Sequence, residues 1–220
     1  LPAGAAMVIK AVAGGGGRGM RVVHAREEIA EAHARCTSEA AAAFGDGAVY
    51  AERFLPAARH IEVQVLGDGT GECLHLLERD CTLQRRHQKV LEIAPAPGLS
   101  AGQRETLVAH ALKLARAGDY RSLGTFEFLA LPDASEVFFI EANPRIQVEH
   151  TVTEEILGLD LVRLQLEIAA GRTLAQLGLA QASLPQPSGY AIQARVNAER
   201  MDAKGQARPS VGTLTKWEPP

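Results

Sequence analysis

The sequence predicts an α+β fold in which a small unit carrying a glycine hairpin (residues 1–55) acts as a lid on a larger unit of sheet and helices (residues 56–220). Three observations predict it. Successive strand candidates are joined by short turn signals, a glycine run at 14–19, G-D-G-T-G at 67–71 and P-D-A-S at 132–135. Helical stretches at 26–44 and 100–117 separate these groups of strands. Pro56, directly after a strand candidate, marks a hinge between the two units.

Taken in order, M-V-I-K-A-V-A (7–13) is a strand leading into G-G-G-G-R-G-M, and R-V-V-H (21–24) is strand-like again. Gly14, Gly16 and Gly19 satisfy G-x-G-x-x-G, but β-formers follow where a dinucleotide fold needs a helix, and there is no G-K-[ST]. A glycine run between two strands is instead a hairpin whose backbone N–H groups can close over phosphates, with Lys10 adding a point charge. The alternative is a surface turn beside a solvated lysine. The helix from about Arg26 to Phe44 buries Ile29, Ala32, Cys36 and Ala40 on one face and ends at Gly45. V-Y-A-E-R-F-L (49–55) is a strand whose exit carries Glu52 and Arg53.

R-H-I-E-V-Q-V-L (59–66) alternates His60, Glu62 and Gln64 with Ile61, Val63 and Val65, a half-buried strand with one polar face. After the turn at 67–71 comes the strand E-C-L-H-L-L (72–77), then the most charge-dense run of the chain, E-R-D-C-T-L-Q-R-R-H-Q-K (78–89). Its cations suit phosphates or a carboxylate ligand; a solvated charge run is the alternative. Ser100 caps a helix to about Ala117 with Leu107, Leu112 and Leu114 as core contacts. Further on, Thr151 and Glu154 form a capping box, Asp160 caps a helix over 161–170, and residues 189–199 form a last strand with Gln193, Arg195 and Asn197 on one face. An arginine within that strand needs an anionic partner if it is buried.

The chemistry concentrates in E-A-N-P-R-I-Q-V-E-H (141–150). In an extended chain Glu141, Asn143, Arg145, Gln147 and Glu149 project to one side, with Ala142, Ile146 and Val148 free to anchor the other. The upstream strand G-T-F-E-F-L-A-L (124–131) puts Thr125, Glu127 and Leu129 on one face. With Pro132 opposite Glu136, Glu127 falls across from Glu141; a loop one residue longer would move one of them to the other face. Two carboxylates about 5 Å apart repel unless a proton or a cation lies between them. Oxygen ligands such as Glu127, Glu141 and the Asn143 amide point to Mg²⁺ or Mn²⁺ over zinc. A proton-sharing pair, a slipped register or a solvated edge strand are the alternatives.

The formal charge of −3 gives no reason to expect nucleic acid, and no apolar run is long enough for a membrane span. Three cysteines without a C-x-x-C read as reduced thiols of a cytosolic-type compartment. A start at Leu1, almost directly in a strand candidate, reads as a piece of something longer.

Together A-G-G-G-G-R-G-M, R-H-I-E-V-Q, E-R-D-C-T-L-Q-R-R-H-Q-K, G-T-F-E-F-L, E-A-N-P-R-I-Q-V-E-H-T-V-T-E and A-I-Q-A-R-V-N-A-E, in this order across nearly the whole chain, resemble biotin carboxylase, the ATP-grasp component of biotin-dependent carboxylases. The resemblance implies an ATP-grasp fold, a glycine-hairpin lid over a nucleotide on a mixed or antiparallel sheet. It implies that ATP and bicarbonate form carboxyphosphate, which carboxylates the biotin of a carrier protein. By matching motif, Lys10, Gly16 and Gly17 hold phosphates, and Glu52, Arg53, Phe54 and Leu55 line the adenine pocket. Met20, His60, Gln84, His87 and Leu129 complete the nucleotide set. Glu127, Glu141 and Asn143 bind Mg²⁺ or Mn²⁺. Lys89, Arg145, Gln147 and the backbone of Val148 hold bicarbonate. Glu149 is the base, Arg195 stabilises the biotin enolate, and Arg145, on the same face as Glu149, keeps it ionised. Partners implied are a biotin carboxyl carrier, a carboxyltransferase and further copies of the parent chain, in the cytoplasm. Arg53 stands where the family commonly has lysine and Ile93 where it often has an acidic residue. The family's preceding N-terminal domain, with a further ATP-binding lysine, lies outside this sequence. An ATP-grasp ligase of the carbamoyl-phosphate synthesising type and a catalytically silent nucleotide-binding module are the competing readings.

Overall fold

The computed structural model describes residues 5–14, 19–85, 88–131, 136–203 and 206–218. Near the N-terminus, β1 (Met7–Ala11) lies between β2 (Met20–Val23) and β3 (Val49–Arg53), both antiparallel to it. Helix α1 (Ile29–Phe44) covers this small sheet because Ala32 and Cys36, four residues apart, lie on its buried side and pack with Ile9 and Val23. The helix starts one turn later than the periodicity suggested: residues 26–28 form a 3₁₀ turn. Gly45, in the left-handed conformation at φ 76°, closes it.

The larger sheet has six antiparallel strands in the order β8-β7-β4-β5-β6-β9. They are β4 (Arg59–Asp68), β5 (Cys73–Arg85), β6 (Gln88–Ala94), β7 (Arg121–Ala130), β8 (Val137–Asn143) and β9 (Ala191–Ala194). The strand expected to end at residue 77 continues through the charged residues to Arg85, and Gln88 and Lys89 belong to the strand that pairs with it. Both faces of the sheet are covered. Ile61, Val63 and Val65 of β4 and Phe126 and Phe128 of β7 pack on α2 (Ala101–Ala117). On the opposite face Leu66, Leu74, Leu76 and Leu123 pack on α3 (His150–Leu157) and α4 (Leu161–Ala169). Strand period two then places His60, Glu62 and Gln64 of β4 on the same face as Leu66, and Thr125 and Glu127 of β7 on the same face as Leu123. One end of that face is apolar core and the other end is polar.

Two further helix expectations fail, one at a core position of α2 and one at the start of α3. Ser100 caps α2 as foreseen, exchanging bonds with Gln103, whereas Leu114 is 40% exposed and is not a core contact. Asp160 caps α4 through Arg163 N–H at 2.7 Å, but Thr151 and Glu154 make no capping box. The N-cap of α3 is Glu149, and the Glu154 carboxylate is used instead to accept from Leu161 N–H at 2.7 Å, joining α3 to α4. The last long strand expected over 189–199 is broken into β9 and a separate short pair, β10 (Glu199–Met201) with β11 (Ala207–Pro209).

Gly67 is required by a close approach. A Cβ there would lie 2.1 Å from the carbonyl oxygen of Tyr120, which is backbone and cannot swing away. Gly67→Ala is expected to lower stability by about 3 kcal/mol, or roughly 6–12 °C in Tm, as read by thermal unfolding.

Candidate active site

The polar end of the second sheet face collects carboxylates and cations from strands β4 to β8, from the start of α3 and from the residue after β9. Glu127 and Glu141 are direct cross-strand partners, as the hairpin reasoning required. The pairing is reached differently, however. Leu131, not Pro132, bonds Glu136 across the turn, and a bulge between the Glu127 and Phe128 pairs takes up the extra residue. Residues 132–135 lie outside the described residues. The Asn143 side-chain amide donates to Glu127 Oε1 at 2.9 Å and to Glu141 Oε1 at 3.1 Å, so one nitrogen spans the two carboxylates.

The expected extended row ends at Asn143. Arg145 N–H turns back to Asn143 C=O at 2.8 Å, and residues 147–150 form a turn into α3. Gln147 and Glu149 therefore point into the protein for reasons of turn and helix geometry, not of strand alternation. Gln147 is buried between Thr125, whose hydroxyl donates to its Oε1, and Glu127, to which its Nε2 donates at 3.0 Å. Glu149 is 2% exposed and Val148 62% exposed, so Val148 is not the core anchor it was expected to be; Ala142 is exposed as well. Arg145 is exposed, and its guanidinium donates to Ile146 C=O at 3.2 Å. It does not reach Glu149. The cations there are Lys89, at 2.7 Å from Oε1, and Arg195, at 2.8 Å from Oε2, which corrects the expectation that Arg145 keeps this carboxylate ionised.

Lys89, on β6, also meets Glu62 Oε2 and, at 3.0 Å, Glu127 Oε1. Burial opposes its charge, but Glu62, with Glu127 and Glu149, raises its pKa. Glu62 is fully buried; burial raises its pKa, yet Arg79 and Lys89 outweigh this and leave it lowered. In Glu127 burial is likewise outweighed, by the His60 hydrogen bond and by Lys89, and its pKa falls to about 2. His60 Nε2 lies 2.5 Å from Glu127 Oε2, and Gln84 Nε2 lies 2.8 Å from His60 Nδ1. Gln84 also donates to Cys81 C=O, which orients its amide, so Nδ1 accepts and the ring proton sits on Nε2 toward Glu127. His60 thus turns to the carboxylate.

Among the described residues of the nucleotide set, Lys10 pairs with Glu52, and the Phe54 ring packs edge-on to His24. Arg53 ends β3, Leu55 follows it half-buried, and Met20 is the cross-strand partner of Lys10. Leu129 pairs with His60 across β4 and β7. Gly16, Gly17 and His87 lie outside the described residues; the glycine run does connect two antiparallel strands.

Three site residues had gone unassigned. Arg79, fully buried, donates to Glu62 Oε1 at 2.5 Å and to Gln64 and Thr153 at 2.8 Å. In the sequence Glu62 shows only as part of a polar strand face, and Glu92, which accepts from Arg195 Nε at 2.6 Å, belongs to no motif. The signal for Glu92 is a charge inside an apolar strand, as for Arg195, whereas Arg79 is hidden in the charge-dense run at 78–89.

The connected carboxylates Glu62, Glu92, Glu127 and Glu149 outnumber the cations Arg79, Lys89 and Arg195 by one, and Glu141 adds a further negative charge. Among the described residues His60, Glu62 and Glu127 can each bring a ligand atom within 4.8 Å of the others, whereas the Asn143 amide nitrogen stands between Glu127 and Glu141, so a cation bound there would take the place of those N–H bonds.

Residues 3–177 match the family described as "Carbamoyl-phosphate synthase L chain, ATP binding domain". The chain belongs to this family. Within it, the similarity is to biotin-dependent carboxylases. Pyruvate carboxylase of Aspergillus niger is 55% identical over 193 residues, 88% of this chain and 16% of that protein. The human mitochondrial pyruvate carboxylase is 51% identical over 208 residues, 94% of this chain and 17% of that protein. The structure aligns with biotin carboxylase of Campylobacter jejuni at a TM-score of 0.89 and 43% identity, over 97% of this chain and 46% of the other. It aligns equally over 97% of its length, and 46% of the other's, with the biotin carboxylase domain of Hydrogenobacter thermophilus 2-oxoglutarate carboxylase, solved with MgADP, ADP and bicarbonate, at 0.88 and 44%. The fold of this ATP-binding family member is therefore the ATP-grasp of biotin carboxylases, α+β as expected. The chain spans 16–17% of the length of these pyruvate carboxylases and under half of these solved structures. No helix among the described residues is long and apolar enough to cross a membrane.

Proposed function

We propose that this chain supplies the ATP-grasp chemistry of a biotin carboxylase, transferring a carboxyl group from bicarbonate to carrier-bound biotin at the expense of ATP. The observation that carries the reading is Glu149, a buried carboxylate gripped by Lys89 and Arg195 within the network that reaches Glu127. In this reading residues 1–55 are the lid and 56–220 the body. Lys10, the glycine run, Met20, Glu52, Arg53, Phe54, Leu55, His60, Gln84, His87 and Leu129 serve the nucleotide. Glu127, Glu141 and Asn143 hold Mg²⁺ or Mn²⁺, which neutralises phosphate charge when bound.

Glu149 Oε1 and Oε2 accept from Lys89 and Arg195, so the carboxylate is oriented before substrate arrives. It takes the proton of bicarbonate, whose oxygen attacks the γ-phosphorus of ATP; the bond to the bridging oxygen breaks and ADP leaves. The resulting carboxyphosphate yields its carboxyl group to the ureido nitrogen of biotin; the bond from the carboxyl carbon to the oxygen on phosphorus breaks, and the released phosphate takes the N–H proton that the ureido group loses. Lys89 and Gln147, with Arg145 and the Val148 N–H at the rim, hold the bicarbonate, and Arg195 balances charge on the biotin enolate. Positioning and charge compensation dominate.

The biotin carboxyl carrier, the carboxyltransferase and the homo-oligomeric parent belong to the same reading, as does a cytoplasmic location. The transferase chooses the final acceptor, and the pyruvate carboxylase relatives make a 2-oxo acid the first acceptor to assay. Bicarbonate-dependent ADP release by the intact protein that free biotin stimulates, and ammonia does not, is the expected result. Stimulation by ammonia would assign the carbamoyl-phosphate type instead.

A further inference from the structure

Glu92, on β6, is fully buried. Its Oε1 accepts from Arg195 Nε at 2.6 Å, while its Oε2, also buried, has no hydrogen-bond partner. A carboxylate placed this way is costly, because the unpaired oxygen has lost water without replacement. Burial accordingly raises its pKa, with Arg195 pulling the other way. The facing residue, Gln193, does not compensate it: Gln193 Oε1 is taken up by the Thr151 hydroxyl at 2.7 Å.

What Glu92 supplies is a second anchor for Arg195. That residue lies just past the end of β9, a four-residue edge strand, and is held to the sheet by its N–H to Val90 C=O at 2.9 Å. Its guanidinium bonds Glu149 through Nη2 at 2.8 Å. One such bond leaves the planar group free to pivot; bonds from two of its nitrogens to two carboxylates fix the plane. Arg195 also lines a cavity of about 410 Å³ together with Gln84, Leu91 and Asn197.

We propose that Glu92 is a positioning residue, which sets the plane of the Arg195 guanidinium toward this cavity so that Arg195 meets the ureido group of biotin in a productive orientation. The inference rests on the biotin carboxylase reading above. It accounts for a buried, half-paired carboxylate that the Glu127–Glu141 site does not use.

The test is steady-state kinetics of the intact protein with free biotin. Glu92→Gln keeps the shape and removes the charge; it is expected to lower kcat/KM for biotin by about ten- to a hundredfold while KM for ATP stays within about twofold of wild type. Glu92→Asp, which keeps the charge but shortens the reach, is expected to be no better. In an Arg195→Lys background, adding Glu92→Gln is expected to cost nothing more, because the group it orients is gone. Unchanged biotin kinetics, additive losses, or parallel losses for ATP and biotin with a lower Tm would each overturn the proposal. A wild-type protein that does not respond to biotin overturns the reading and the inference together, whereas a responsive wild type with an unimpaired variant overturns the inference alone.

Discussion

Glu149→Gln is expected to reduce biotin-dependent turnover by at least about a hundredfold, the usual contribution of a positioned general base, with ATP affinity nearly unchanged. The substitution keeps the size of a side chain that is 2% exposed. One amide oxygen can still accept from Lys89 or Arg195, but the other position now carries a donor facing a cation. The base is lost, and either Lys89 or Arg195 loses an acceptor. The nucleotide set draws on other elements, β1 to β5 and β7, so nucleotide binding measured by calorimetry should be preserved. A variant with normal turnover would remove Glu149 from its role.

Lys89→Met carries the second large effect, and on two readouts. The Lys89 ammonium is bonded to Glu62, Glu127 and Glu149, three carboxylates that are each at most 4% exposed. Methionine matches the length of the stem and removes the charge, leaving these groups to repel one another in a poorly solvated space. Removing one partner of a buried pair typically costs about 3–5 kcal/mol, and a similar loss is expected in the denaturant midpoint at constant m-value. Turnover is expected to fall by at least about a hundredfold, since bicarbonate loses a cation and Glu149 its orientation. Lys89→Arg should restore little, because a planar fork cannot point one nitrogen at three separate carboxylates. An undiminished denaturant midpoint in Lys89→Met would show that the carboxylates find other partners and would weaken the account of the network.

Much of the site was legible because strand alternation needs only local sequence. His60, Glu62 and Gln64 share a face because they are two apart in β4, and Thr125 and Glu127 share one in β7. Two bulges were not legible. Leu77, at φ 65°, lies where the pairing slips between Val65–His75 and Val63–Glu78, so the parity of β5 reverses. Leu74 and Leu76 face α3 and α4, and beyond the slip Arg79 takes that same face, directly opposite Glu62. The second bulge, in β8, offsets a turn longer than the one assumed and restores Glu127 to Glu141. The polar residues from Arg145 to Glu149 alternate as a strand would, yet a turn and the start of α3 place them.

By itself the sequence determined which residues share a face in β4 and β7, where α2 and α4 begin, and that Glu127, Glu141, Lys89, Glu149 and Arg195 were candidates, since these follow from side-chain period, capping and motif within a few residues. Only the tertiary structure decided which cation serves which carboxylate. Lys89 and Arg195 reach Glu149 from distant strands while Arg145, four residues away, does not. The physical reason is that pairing of buried charges depends on register and bulges across the sheet, and a one-residue slip, invisible in local composition, moves a charge from one face to the other.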